Sequence, residues 1–201
     1  MKTIGYFLFS VFIIMGVGSV YAGPKLTKGN LAFLKGQKNI SVEFDYSNVA
    51  VGKFKAEEDY IKKKTEEYNK KEPGRGDKWK ESWYNDRPSR FEPKFLELFN
   101  ENSDGLKAEK GGSAEYVMVV KTTYIDPGYN VGVSKKPAYA NFKVEFFKAN
   151  DRGNPLAEII MLNVPGSQFG GFDFDTGTRI SECYGKGAKD LARFIAKSVK
   201  K

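Results

Sequence analysis

The sequence predicts an α/β (α+β) protein with a mostly antiparallel sheet of four to five strands. A helical insert follows the first strand, and a long carboxy-terminal helix packs on the sheet. Three observations carry this. Residues 114–125 (AEYVMVVKTTYI) are apolar on both alternating sets in their first half, with Tyr116, Met118 and Val120 on one and Val117 and Val119 on the other. A short β-rich run that is apolar on both faces belongs in the interior of a sheet. Two other stretches alternate apolar and polar residues strictly, and residues 178–199 repeat apolar residues at helical spacing.

Lys2 is the only charge ahead of the uncharged run from Thr3 to Ala22, which ends Val20-Tyr21-Ala22. Small residues at the first and third positions before a cut suit a signal peptidase, so residues 1–22 are expected to be a signal peptide and 23–201 a single α/β domain. No cysteine stands near the cut, so a lipoprotein anchor is not expected, and no second apolar run of spanning length follows. The expected location is therefore outside the cytoplasm, periplasmic or extracellular.

Residues 23–37 are polar and Gly-punctuated around one apolar knot, Leu31-Ala32-Phe33-Leu34, and read as a loose lead-in segment. Ile40, Val42, Phe44 and Tyr46 then alternate with Ser41, Glu43 and Asp45, which predicts a strand with one buried face. Val49, Val51 and Phe54 continue it past a turn or bulge near Ser47-Asn48. The helical insert spans 55–100. Its first part carries acid-before-base pairs four residues apart, such as Glu58 with Lys62 and Glu67 with Lys71, and a thin apolar stripe of Tyr60, Ile61 and Tyr68. This predicts a solvated helix that ends at Pro73-Gly74-Arg75-Gly76. Residues 77–100 predict one or two short helices rich in aromatic residues. Residues 102–112 read as a polar loop. After the central strand come a Pro127-Gly128 turn and a loop to Pro137.

Ala138, Ala140, Phe142, Val144 and Phe146 alternate with Tyr139, Asn141, Lys143 and Glu145, a second strand with one buried face. A turn cluster at 150–155 leads into an inner strand at 156–164. Economy of connection makes these last strands an antiparallel meander. A Gly-rich loop at 166–177 precedes the final helix, whose buried face is Ile180, Tyr184, Ala188, Leu191 and Ile195, with Cys183 and Gly187 adjoining. Gly185 and Gly187 each cost roughly 1 kcal/mol in a helix interior. Close approach of this helix to the sheet is the expected reason.

Composition excludes several chemistries. The chain has no histidine, which removes Ser-His-Asp and Cys-His arrangements, His-ligated zinc and a histidine general base. Cys183 is the only cysteine, so no intrachain disulfide forms, and no neighbouring histidine can activate it. A chain of this size buries about 70% of its unfolded surface and needs no staple. The formal net charge of +8 favours an anionic partner surface such as phospholipid headgroups or acidic glycans, and for an exported protein the expected partner is an envelope protein or an acidic glycan, with no nucleic acid.

Two groups of residues are candidates for binding. Trp79, Trp83 and Tyr84 stand among Arg87, Arg90 and other bases, a mixture that stacks on sugars or holds acidic partners. The competing reading is that both indoles cap the sheet. The second group is the loop with Gly170, Gly171, Asp173 and Asp175 ahead of a helix amino terminus, where free N–H groups attract anions. It matches neither G-x-x-x-x-G-K-S/T nor G-x-G-x-x-G. Asp173 and Asp175 lack the further oxygens of a calcium loop, so no metal or cofactor is assigned. Arg75-Gly76-Asp77 spells an adhesion tripeptide but sits where turn chemistry places such residues anyway. No catalytic residue is nominated.

The block 114–199 has a long strand ending in a Pro-Gly turn, two more strands, a Gly-rich loop and a final helix ending ARFIAK. With LKGQKNISVEFDY at 34–46 as a first strand, it resembles small bacterial envelope α/β domains. These are the ones related to the penicillin-binding-protein activator lipoproteins, the curli secretion-channel periplasmic domain and the TolB amino-terminal domain. The resemblance covers about half of the mature chain, and the insert 55–100 departs from it. It implies fold, envelope location and a role in binding or assembly without enzymatic activity. The alternative is a carboxylate-based hydrolase acting on envelope glycan, which requires two carboxyl groups facing each other about 5–10 Å apart in a cleft.

Overall fold

The computed structural model describes residues 20–166 and 175–200. Its main sheet has seven strands: β1 (Lys25–Gly29), β2 (Asn39–Asp45), β3 (Ala50–Val51), β4 (Lys107–Lys110), β5 (Tyr116–Asp126), β8 (Ala138–Lys148) and β9 (Ala157–Gly166). Two more, β6 (Tyr129–Asn130) and β7 (Lys135–Lys136), form a separate hairpin. The helices are α1 (Glu57–Lys71), α2 (Arg75–Asp86), α3 (Glu92–Asn102) and α4 (Thr176–Val199), with a π-helical turn, Arg87–Phe91, between α2 and α3.

The order across the sheet is β1-β9-β8-β5-β2-β4, and β3 pairs with β5 beyond the end of β2. The meander β5-β8-β9 is antiparallel, as expected, but β2 and β3 run parallel to β5, and β2 runs parallel to β4. The sheet is thus mixed and larger than the mostly antiparallel four to five strands predicted. The reason lies in the insert. Parallel neighbours need a crossover of a dozen or more residues, and the helical segment 55–100 is that crossover.

Two further expectations are corrected. The lead-in segment contains β1, an edge strand antiparallel to β9, with a register shift between Leu26 and Lys28. Its apolar knot does dock: Leu31 and Leu34 are buried around a 3-10 turn, Ala32–Leu34. The polar loop at 102–112 contains β4, held because the Asn100 side chain accepts from the Ala108 N–H at 2.7 Å and donates to its carbonyl at 3.0 Å. The loop to Pro137 contains the β6–β7 hairpin.

Among the described residues, helices cover one face of the sheet only. Met118, Val120, Phe142, Val144, Phe146, Ile159 and Met161 point into that layer and meet Phe95, Phe99, Tyr184 and Leu191 from α3 and α4. Full burial of side chains of this size contributes about 1.5–3 kcal/mol each. Tyr184 stacks on Phe91, meets Phe142 edge-on, and shares a 2.6 Å hydrogen bond with Thr122. A Cβ on Gly187 would stand 3.2 Å from the Phe142 ring, so this glycine does let α4 lie close to the sheet. Gly185 does not serve that purpose, since it faces Lys94 and Leu98 of α3. Gly166 approaches the α4 backbone at Arg179 and Cys183. Cys183 is fully buried, and burial pushes its thiol pKa far up.

The opposite face closes itself with charge. Lys121 lies 3.8 Å from Asp45 and 2.9 Å from Glu145, Lys143 lies 2.6 Å from Glu145 and 2.8 Å from Glu158, and Lys28 lies 3.7 Å from Glu158. Acid and base therefore alternate across five strands. Beside this ladder Val117, Val119 and Phe147 form a small apolar cluster, with the Arg152 guanidinium over the Phe147 ring.

Candidate binding groove

The first candidate group lies on α2 and the π-helical turn. Pro88 within the turn lacks an N–H donor, and Glu92 N–H reaches back five residues to the Arg87 carbonyl. This wide turn directs Arg87 inward. Its guanidinium pairs with Glu57, which is buried at the start of α1, and lies over the Tyr46 and Tyr84 rings at 4.3 and 5.0 Å. Glu57 also accepts the Trp83 indole N–H at 2.8 Å. Trp83 is buried, and Trp79 packs against Tyr60, Tyr68 and Trp83 with ring centres 5.6–5.9 Å apart. Trp83 and Arg87 are thus spent on joining α1 to α2, while Tyr84 stays exposed.

Arg90 joins the two candidate groups. It bonds Asp86 at 3.1 Å and pairs with Asp175 across 85 residues of sequence. Asp175 caps α4 by accepting the Thr178 N–H at 2.7 Å and the Thr178 hydroxyl at 3.0 Å. Burial works to raise the Asp175 pKa, but the Thr178 bonds and Arg90 prevail and lower it. Asp86 is raised by burial, against the pull of Arg90. Gly170, Gly171 and Asp173 lie outside the described residues.

The α1–α2 hairpin is tight rather than hinged. Asn69 accepts the Gly76 N–H at 2.7 Å and donates to Asp77 at 3.1 Å. A Cβ on Gly76 would stand 2.1 Å from the Thr65 carbonyl oxygen, so only glycine permits this contact. The Arg-Gly-Asp tripeptide is therefore the first turn of α2, with its glycine buried. Along α1 the observed ion pairs are Lys63–Glu67 and Lys64–Glu67, not the acid-before-base pairs read from the sequence.

Between the two helices lies an open groove of about 340 Å³. Ile61 forms its apolar floor and Tyr84 one wall, with Glu58, Lys62, Thr65, Glu66 and Lys80 around them. The Thr65 hydroxyl is buried and has no hydrogen-bond partner among the described residues. Sequence reasoning marked Tyr84 but missed Ile61 and Thr65. The available signal was the thin stripe on α1, which leaves room beside it.

No protein-family model matches the chain, and no curated protein matches it. Among solved structures it is similar to the PelC dodecamer from Paraburkholderia phytofirmans, with a TM-score of 0.38, 12% identity, and coverage of 84% of this chain and 96% of that one. A single-residue variant of the same dodecamer in another crystal form gives 0.36, 12%, 84% and 97%. Likeness at this level carries no argument about fold or role, and the envelope families named above remain resemblances.

The hydrolase alternative is tested by its carboxyl pairs. Asp45 and Glu145 are close because both contact Lys121. Burial opposes ionisation of each, yet hydrogen bonds and lysine charge lower both pKa values, so neither holds a proton to donate near neutrality. Asp86 and Asp175 do shift in opposite directions, the pattern of an acid–base pair. However, Arg90 stands between them, and Asp86 packs where a Gly177 side chain would lie. In the groove, Glu58 and Glu66 are eight residues apart on one helix, about 12 Å along its axis. Among the described residues, no helix is long and apolar enough to cross a membrane.

Proposed function

We propose that this chain is a non-enzymatic binding or assembly module of the bacterial cell envelope, and that its α1–α2 groove takes a glycan chain. The observation that carries the reading is the groove's combination of an exposed tyrosine and a buried isoleucine with acidic and basic side chains around them. A sugar ring stacks its C–H face on the aromatic ring, and its hydroxyls both donate and accept. Glu58 and Glu66 supply acceptors, Lys62 and Lys80 supply donors, and their charges cancel.

The test is a titration of the protein with envelope glycan fragments, followed by calorimetry and by tryptophan fluorescence, since Trp83 adjoins Tyr84. Tyr84→Ala is expected to abolish saturable binding with little change in the melting temperature, and Lys80→Ala to weaken it. Unchanged affinity in both variants overturns the groove as the site. Turnover of the glycan by the wild-type protein overturns the non-enzymatic reading.

A further inference from the structure

The β6–β7 hairpin leaves the main sheet at the carboxy-terminal end of β5 and presents its apolar residues to solvent. Tyr129 is 46%, Val131 65% and Val133 100% exposed. The tip is ordered by its own bonds. Val131 N–H donates to the Ser134 carbonyl at 3.0 Å, Val133 N–H to the Val131 carbonyl at 3.0 Å, and Gly132 N–H to the Asn130 side chain at 3.0 Å. Gly132 takes φ of 81°, which favours glycine there. At the base, Gly128 has φ of 59° and a Cβ on it would collide with the Lys136 carbonyl. The valines are therefore held outward by the backbone rather than left over from a loose loop.

The hairpin itself carries basic and no acidic residues. Residues 129–136 (YNVGVSKK) contain Lys135 and Lys136 and no acid. Lys136 pairs with Asp126 at the hairpin base, and Lys135 is exposed. The turn after β3 reaches the same end of the sheet, because Gly52 N–H donates to the Ile125 carbonyl at 2.9 Å. That turn adds the exposed Lys53 and Lys55, ahead of Glu58 and Asp59 in the first turn of α1.

We propose that this hairpin docks the protein on an anionic phospholipid leaflet, with Val131 and Val133 entering the headgroup–acyl boundary and Lys53, Lys55 and Lys135 facing the phosphates. Size and charge favour lipid over protein. Two valines offer on the order of 200 Å² of apolar surface, against roughly 800 Å² per partner in a stable protein–protein interface. An apolar tip flanked by lysine and tyrosine matches the layered chemistry of a bilayer surface, where basic residues are drawn to an anionic leaflet. The preformed turn enters without a large ordering cost.

The experiment is co-sedimentation of the exported protein with vesicles of phosphatidylglycerol and phosphatidylethanolamine, or of phosphatidylcholine alone. Binding is expected only to the anionic vesicles, weakening as salt rises. Lys135→Glu is expected to lower the partition coefficient roughly tenfold or more, and the pair Val131→Asp with Val133→Asp to abolish binding. A polarity-sensitive dye on Val133→Cys is expected to shift to the blue with vesicles. Both valines are exposed, so their variants should keep the wild-type melting temperature. Three results would overturn the proposal: no binding to anionic vesicles, undiminished binding of the double aspartate variant, or self-association in sedimentation that this variant removes. The last would make the hairpin a protein contact. None depends on the glycan groove, which lies between other helices.

Discussion

Adjacent positions on α2 divide the labour between fold and surface. The Trp83 indole lies inside, bonded to Glu57 and packed on Tyr60 and Trp79, while the Tyr84 ring faces the groove. Trp83→Ala is therefore expected to cost about 3–5 kcal/mol in a denaturation experiment, because it opens a cavity and removes one of the hydrogen bonds to the buried Glu57, leaving it to Arg87. Tyr84→Ala is expected to cost far less. Equal and small losses would show that the indole is not part of the core. The composition of 75–90 marked these residues as a group, but composition does not tell which side of a helix faces in. The buried position of Glu57 decides it, and an acid in a first helical turn reads from sequence as an ordinary dipole partner. Arg90 and Asp175 were marked separately, and only the packing of α2 against the start of α4 brings them together.

At the scale of elements, α4 shows how one glycine differs from another two residues away. Gly187 faces the Phe142 ring and the Met161 methyl, both in the packed layer. Gly187→Leu is expected to destabilise by roughly 1–3 kcal/mol through overpacking. Gly185 faces the Lys94 stem, which can move aside, so Gly185→Ala is expected to leave the denaturation midpoint unchanged or raise it, by up to about 1 kcal/mol of helix propensity. A lower midpoint for Gly185→Ala would mean that the α3–α4 contact is as tight as the sheet contact. The apolar repeat of α4 and the alternation of β2 and β8 were legible because each buries one face against many neighbours. By contrast, β1 (KLTKG) and β4 (KAEK) carry no alternation to read. They are strands because a neighbour supplies the hydrogen bonds.

For the whole molecule, the ladder on the sheet face away from the described helices contributes to the response to acid. Asp45 and Glu145 have folded pKa values below their ordinary 3.8 and 4.5, because hydrogen bonds and lysine charge outweigh burial. Groups shifted down contribute stability that is present above the unfolded pKa and is lost as pH falls through the folded one. The melting temperature is therefore expected to be nearly level between about pH 5 and 8 and to fall below the carboxylate range. Asp86, shifted up, works weakly in the opposite sense. Lys121→Met should lower the plateau and soften the acid fall; an identical profile would show that the ladder contributes nothing. The antiparallel meander was legible from its short connections, whereas the parallel half depends on reading the insert as a crossover instead of an addition. The shift in β1 and the shortness of β4 have a last consequence. The sheet's two outer margins are where another molecule would add its own strand. One is kinked and carries Lys25 and Lys28; the other is four residues long and carries Lys107 and Lys110. Among the described residues neither margin offers a long, straight run of free backbone on which crowded copies of the chain could join edge to edge into fibres.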